Sequence, residues 1–138
     1  LLELARTEKN PGYRKMTLRA CIRVAPLPDN RTDARRLDLL RTTLVMCPTE
    51  SEVNLILKRA RAIRTVESLR FVIRFTNDQR FAELACESVV ELAHHRKLRD
   101  DNQEEFHHAL DRVMAISKNA TTLDRAQRYK AGQTWVRQ

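Results

Sequence analysis

This chain of 138 residues carries a formal net charge of +8, with 42% hydrophobic and 32% charged residues. The length suits one domain with its own core, and only two glycines and four prolines leave little material for turn-rich β folds. No apolar run approaches the roughly 18 residues that cross a bilayer, so we expect no membrane insertion.

The hydrophobic pattern predicts eight helices separated by short loops, and short loops make neighbouring helices pack as antiparallel pairs. A capping box at residues 49–52 (Thr-Glu-Ser-Glu) begins the fourth helix, Thr65 caps the fifth, Asp78 the sixth, and Thr121 or Thr122 the last. The domain is expected to span 1–131, and 132–138 to form a C-terminal tail. The predicted helices are 1–6, 13–25, 31–46, 50–63, 66–75, 79–97, 103–117 and a last helix that ends near residue 131.

Three of these helices carry the same apolar ladder at positions i, i+3 and i+6. The ladders are Leu18, Cys21 and Val24; Leu57, Ala60 and Ile63; and Cys86, Val89 and Leu92. Because an isolated helix pair leaves one apolar face uncovered, successive pairs must stack into a continuous core. The ladders favour an all-α fold, a right-handed α-solenoid of about four helix pairs. A compact helical bundle is the alternative that the same periodicities permit.

Several further side chains are assigned to the interior. Met16 and Val45 lie on the predicted apolar stripes, and Tyr13 at a helix start is expected to pack against the neighbouring pair. Trp135 in the tail is either an interface anchor or an artefact of where the segment begins and ends. The three cysteines have no close partner in sequence, so we interpret them as small buried hydrophobes. They are Cys21, Cys47 and Cys86.

The third predicted pair resembles a HEAT repeat. It combines the helix start Glu67-Ser68-Leu69, the turn aspartate Asp78 followed by Arg80, and an Ala/Val/Leu-rich helix at 85–93. Residues 13–25 resemble the HEAT-like modules of large bacterial multidomain proteins of uncharacterised function. The second pair departs from the pattern, because Cys47-Pro48-Thr49 stands where the turn aspartate is expected. The resemblance implies an armadillo-like fold and a protein-interaction surface or spacer, without catalysis.

The basic residues form the best candidate site. The charge is uneven, since residues 1–46 hold ten Lys/Arg against five Asp/Glu. If the helices stack in register, Arg19 and Lys58 occupy matching positions, and a merged basic face would suit nucleic-acid phosphates or an acidic protein. Glu87 and Glu91 interrupt the stripe on the third helix, and a solvated arginine-rich face is the plainer interpretation. The candidate face consists of Lys15, Arg19, Arg23, Lys58, Arg61 and Arg64.

The motif Glu-x-x-His occurs at 91–94, 104–107 and 105–108. This spacing places a carboxylate and an imidazole on one helical face, as di-iron bundles require. A di-metal centre needs further buried carboxylates from other helices, whereas these glutamates lie on highly charged faces, so we expect no metal and no cofactor. A metal-dependent enzyme built on His94, His108, Glu91 and Glu105 is the weaker alternative, and it predicts stoichiometric iron, manganese or zinc.

The sequence therefore predicts a non-catalytic protein-interaction or scaffolding module. The first residues lack an initiator methionine and a targeting signal, so we expect a segment of a larger protein whose partners are an unknown protein or flanking domains of the same chain. Nucleic-acid binding through the basic face is the alternative function, and it predicts an affinity that falls steeply with salt.

Overall fold

The computed structural model describes residues 2–46 and 49–136. The protein is all-helical, with 74% of its residues in helices and no strand in the described ranges. None of the described helices combines the length and the apolar character that a membrane crossing requires. A 3-10 turn, Arg74–Asn77, follows α5. The α-helices are α1 Leu2–Thr7, α2 Pro11–Val24, α3 Asp33–Val45, α4 Glu50–Ala60, α5 Val66–Ile73, α6 Ala82–Ala93, α7 Arg96–Asp101, α8 Gln103–Ile116 and α9 Ala120–Lys130.

The chain divides into two compact units, Leu1–Ile63 and Arg64–Gln138. In the first unit α2 packs against α1, α3 and α4. In the second unit α6 packs against α5, α8 and α9, and α8 packs against α9. Each unit therefore has its own interior, built on a helix that contacts several others.

Polar side chains fix where several helices begin. The Asn10 side chain accepts hydrogen bonds from the backbone N–H groups of Gly12 and Tyr13, at 2.9 and 3.2 Å, and Pro11 occupies the first turn of α2. A cap of this kind satisfies donors that the helix leaves without an internal partner. The Thr32 hydroxyl caps α3 in the same way, and Thr65 caps α5 as the sequence predicts.

Two cap predictions are wrong, and a third holds only in part. Thr49 is the N-cap residue of α4, as predicted, but its side chain makes no cap bond, because its hydroxyl donates to the Glu52 carboxylate instead. Asp78 accepts from the N–H of Arg80 and closes a turn before α6, which begins only after Phe81. The last helix is capped by Asn119, whose side chain accepts from the N–H of Thr122 at 3.0 Å.

The predicted helix 79–97 is also wrong at both ends. Ala82–Ala93 forms α6, and a separate helix, α7, occupies part of the predicted loop. At the C-terminal end the break coincides with Arg99, whose side chain is buried rather than solvated and donates from Nη1 to the Ala93 carbonyl at 2.9 Å. A cation at this position satisfies a carbonyl that the end of a helix leaves open.

Nearly all residues of the three predicted apolar ladders lie in the interior. All ladder residues are buried except Val24, which is half-buried. Three assignments to the interior are wrong, since Tyr13, Met16 and Val45 are 62%, 65% and 80% exposed. Thr43 takes the inward position on α3, because its hydroxyl is satisfied by donating to the Leu39 carbonyl at 2.8 Å.

Two of the three cysteines are buried free thiols, as predicted. Burial raises the pKa of the Cys21 thiol, and burial together with the nearby Glu83 carboxylate raises the pKa of Cys86 to about 11. A thiol with a raised pKa is a poor nucleophile at neutral pH, so both side chains serve as packing groups. Cys47 lies outside the described residues.

Candidate functional site

Helices α2 and α4 lie side by side and run in the same direction. Arg19 of α2 donates from Nε to Glu52 Oε1 at 2.9 Å, near the start of α4. Further along, Arg59 of α4 donates from Nη2 to the carbonyl of Arg23 at 2.6 Å. Because both contacts advance together along the two helices, α2 and α4 are parallel.

Glu52 is the centre of the contact between α2 and α4. Its side chain is 1% exposed, although that of Arg19 is 41% exposed. Lys15 Nζ lies 3.9 Å from the same carboxylate oxygen, the Thr49 hydroxyl donates to the carboxylate, and Arg19 also donates to Ser51 Oγ at 3.2 Å. Two members of the predicted basic face therefore converge on one buried anion.

The other members of the predicted basic face have different surroundings. Arg23 and Lys58 are exposed, and Arg61 is half-buried. Arg64 belongs to the second unit, where its charge acts on His95. Arg59 links α4 to α2, and the sequence does not predict this role. Its neighbours Lys58 and Arg61 are also basic, and its acceptor is a backbone carbonyl, which no residue type in the sequence indicates.

The second unit contains another parallel pair, α5 with α8. Arg70 of α5 donates from Nε to Glu105 Oε2 of α8 at 2.9 Å. Thr76 lies in the 3-10 turn that follows α5, and its hydroxyl accepts from Nε of Arg112 on α8 at 3.3 Å. These contacts advance in the same direction, so α5 and the 3-10 turn that follows it run parallel to α8.

Helices α6 and α9 form the third parallel pair. Glu83 at the start of α6 accepts from the hydroxyl of Ser117 at 2.9 Å, just before α9. Glu91 accepts from Arg125 Nη1 at 2.7 Å. At the end of α6, His94 Nδ1 and the Tyr129 hydroxyl are 2.8 Å apart. All three contacts thus keep nearly the same spacing in sequence along the two helices.

Tyr129 is the centre of the contact between α6 and α9. It is 2% exposed, and its hydroxyl accepts from Arg125 Nε at 3.2 Å and Nη2 at 3.1 Å. The same oxygen lies within hydrogen-bond distance of His94 Nδ1, so it joins side chains of α6 and α9. The Arg99 guanidinium lies 5.2 Å from the ring centroid, a cation–π distance.

Arg125 also holds the first part of the tail. Its guanidinium lies 4.5 Å from the centroid of the Trp135 ring, which is half-buried. Residues around this contact line an open polar groove of about 1080 Å³, including Glu87, Thr121 and Arg128. Trp135 is therefore anchored on α9 within this unit.

Three of the four residues of the metal hypothesis are bonded to other partners. Glu91 pairs with Arg125, Glu105 pairs with Arg70, and His94 pairs with Tyr129. Across residues 2–46 and 49–136, no group of three or more His, Cys, Asp or Glu side chains is placed to hold a metal ion. The described structure thus does not bring His94, His108, Glu91 and Glu105 together as one centre.

The His95 side chain should make the stability of the protein depend on pH. Burial and the nearby Arg64 and His94 lower its pKa from 6.5, while Glu91 opposes the shift. The unfolded chain therefore binds a proton at a higher pH than the folded chain, and the free energy of unfolding should decrease as the pH falls below about 6.5. We expect His95→Gln to weaken this decrease in urea titrations between about pH 7.5 and pH 5. His108→Gln, an exposed histidine on α8, is the control, and an unchanged slope in His95→Gln would contradict the assignment.

No protein-family model, curated protein or solved structure matches this chain.

Proposed function

We propose that this chain is a non-catalytic protein-interaction module, built as an α-solenoid of HEAT-like helix pairs. The observation that carries the proposal is the set of contacts between parallel helices. Across α2 and α4 they join residues 32, 33 and 36 apart in sequence. Across α5 with α8 and α6 with α9, they join residues 34 to 36 apart.

A similar separation in several helix pairs is what a repeated helix pair produces. If each pair lies on the one before it, a side chain meets its counterpart after one repeat length. Any two parallel helices keep their own separation along their length, but unrelated pairs in a bundle have no reason to share one value. The separations of 32 to 36 residues in the first unit and 34 to 36 in the second therefore support a repeat of about 35 residues.

Such a module acts by presenting its surface to a partner. The ionisable side chains that an enzyme would use are instead occupied in links between helices, as Glu91, His94 and Glu105 illustrate. These links hold neighbouring helices in fixed register. A rigid surface loses little conformational freedom when it binds, which favours affinity.

Nucleic-acid binding is the second candidate function. The net charge of +8 favours it, and Arg23 and Lys58 are exposed on the parallel helices α2 and α4. Against it, the buried carboxylate of Glu52 compensates part of the charge of Lys15 and Arg19. The basic stripe is therefore weaker than its sequence indicates.

Fluorescence anisotropy with labelled duplex DNA and single-stranded RNA separates the two functions. We expect no micromolar binding at about 0.15 M salt, and only weak, salt-sensitive binding below it. The informative variant is Arg23→Glu/Lys58→Glu, and the matched control is Arg35→Glu/Arg41→Glu on α3. Micromolar or tighter binding that only the first variant abolishes would establish the nucleic-acid function instead.

A second arm tests protein binding directly. The full chain, immobilised, is incubated with an extract of its source cells, with and without nuclease treatment. We expect the same bound proteins in both samples, because the contact is between proteins. Loss of every bound protein after nuclease treatment would show that nucleic acid forms the bridge.

A further inference from the structure

A groove runs between the parallel helices α2 and α4. Arg19 of α2 donates to both Glu52 and Ser51 of α4, so these side chains meet at one end of the groove. One turn beyond Arg19 the α2 helix carries Arg23, and about two turns beyond Ser51 the α4 helix carries Lys58. Helical spacing therefore places Arg23 and Lys58 on the two walls of the other end, which we call the distal groove.

The end of the groove near Glu52 contains its own anion. The Glu52 side chain is 1% exposed, and its Oε1 lies 2.9 Å from Arg19 Nε and 3.9 Å from Lys15 Nζ. This arrangement shows how α2 and α4 hold a carboxylate: the two helices enclose it, and a guanidinium and an ammonium group contact it. Charge-assisted contacts of this kind are among the stronger hydrogen bonds in proteins.

The distal groove holds cations without an anion. Arg59 donates from Nη2 to the Arg23 carbonyl at 2.6 Å, and its Nε is buried without a hydrogen-bond partner. Arg23 and Lys58 are exposed, and neither forms an ion pair within the described ranges. One turn beyond Glu52, where a second carboxylate would lie, α4 carries the fully buried Ile56. Three cations are therefore left without the kind of partner that Glu52 provides.

The neighbouring sequence does not compensate these charges. Neither residues 9–28 nor residues 53–66 include an acid. Asp29, which follows the end of α2, is occupied by Arg31, whose Nε lies 2.7 Å from Oδ2. Arg31 also donates from Nη2 to the Val24 carbonyl at 2.8 Å, so a cation already offsets the negative end of the α2 dipole. The distal groove therefore keeps a positive potential.

The size and lining of the distal groove favour carboxylates of a protein over the phosphates of a nucleic acid. Its cations lie within about two helical turns, so it can neutralise only a few phosphates, and affinity for nucleic acid grows with their number. Bases also need aromatic side chains to stack on. The sequence of α4 has no aromatic residue, and Tyr13, the aromatic residue of α2, lies at the opposite end of that helix.

We infer that the distal groove binds an acidic segment of a partner protein. A carboxylate of the partner lies among Arg23, Lys58 and Arg59, and it repeats the arrangement that Glu52 has at the other end of the groove. Arginine side chains suit this role because the planar guanidinium donates two parallel hydrogen bonds to one carboxylate. The inference rests on the proposed function and names the chemistry of the partner.

The probe is a fluorescein-labelled peptide of about ten residues, long enough when extended to follow the groove. Glutamate alternates with serine in this peptide, and the matched peptide carries glutamine in place of each glutamate. Fluorescence anisotropy measures the binding of both to the full chain. We expect the glutamate peptide to bind at least about tenfold more tightly than the glutamine peptide at low salt, and added salt should weaken it.

Charge-reversal variants locate the peptide. Arg23→Glu/Lys58→Glu should weaken the glutamate peptide at least about tenfold. The matched control, Lys9→Glu/Lys97→Glu, makes the same change in net charge at two exposed cations outside the groove. The control should weaken the peptide no more than about threefold, because distant exposed charges are screened. All four positions are exposed, so both variants should keep the circular dichroism spectrum of the wild type.

Nitrogen-15 NMR gives a second, independent location. The Arg59 Nε–H signal, assigned by its loss in Arg59→Lys, should shift when the glutamate peptide is added. The backbone N–H signals of Arg23 and Lys58 should shift with it. The Nε–H signal of Arg99, a buried arginine in the second unit, is the reference and should stay unchanged.

Several results would overturn the inference. They are equal binding of the two peptides, no binding of either, equal weakening by the two double variants, and an unchanged Arg59 signal. Single-stranded RNA that displaces the peptide and binds at least about tenfold more tightly would also overturn it, since nucleic acid would then be the occupant.

The inference and the proposed function fail separately. Extract proteins that resist nuclease treatment and still bind Arg23→Glu/Lys58→Glu would overturn the inference and leave the proposed function standing. Loss of every bound protein after nuclease treatment would instead overturn the proposed function, whatever the peptides do.

Discussion

Replacing Tyr129 with phenylalanine is expected to lower the free energy of unfolding by about 1–3 kcal/mol. The substitution keeps the ring but removes the oxygen that accepts from Nε and Nη2 of Arg125 and contacts His94. Arg125 is 8% exposed, so water does not readily replace the lost partner. Tyr129→Ala, which also removes a buried ring, should cost about 3–5 kcal/mol.

Urea unfolding followed by far-UV circular dichroism measures the Tyr129 effect. The matched control is Tyr13→Phe, because Tyr13 is 62% exposed. That variant should remain within about 0.5 kcal/mol of the wild type. If Tyr129→Phe is as stable as Tyr13→Phe, the hydroxyl does not hold α6 and α9 together.

The helical character of the chain could be predicted because it depends on local spacing. Apolar residues three and four apart lie on one helical face, and this places Cys86, Val89 and Leu92 in the interior, as the structure confirms. The same rule fails at Val45, where Thr43 turns inward because its hydroxyl bonds to its own helix. Apolar spacing cannot register such a bond.

The candidate site could be predicted only in part, because its contacts join distant residues. The spacing in sequence places the cations Lys15 and Arg19 on one side of a helix, but Glu52, which faces them, is 33 residues from Arg19. The sequence gives Glu52 a local role in a capping box, and only the packing of α2 on α4 makes it a buried partner. Arg99 falls in a predicted loop for the same reason, since its acceptor and the Tyr129 ring come from other elements.

Removing the Arg19 side chain should destabilise the protein more than removing an ordinary surface cation. Arg19→Ala leaves the buried Glu52 carboxylate with Lys15 at 3.9 Å and the Thr49 hydroxyl. We expect a loss of about 2 kcal/mol, less than for a fully buried pair because Arg19 is partly exposed. Arg96→Ala, which removes the exposed partner of Asp100 on α7, should cost at most about 0.5 kcal/mol.

A double-mutant cycle separates this ion pair from other effects. Glu52→Gln keeps the shape of the side chain but removes its charge, so the double variant Arg19→Ala/Glu52→Gln should lose about 1 kcal/mol less than the two single losses together. Equal losses for Arg19→Ala and Arg96→Ala would contradict this role for Glu52. Glu52→Gln also leaves the charges of Lys15 and Arg19 uncompensated. Glu52→Gln should therefore bind duplex DNA more tightly than the wild type at low salt. That gain would show that the buried carboxylate of Glu52 weakens binding to nucleic acid.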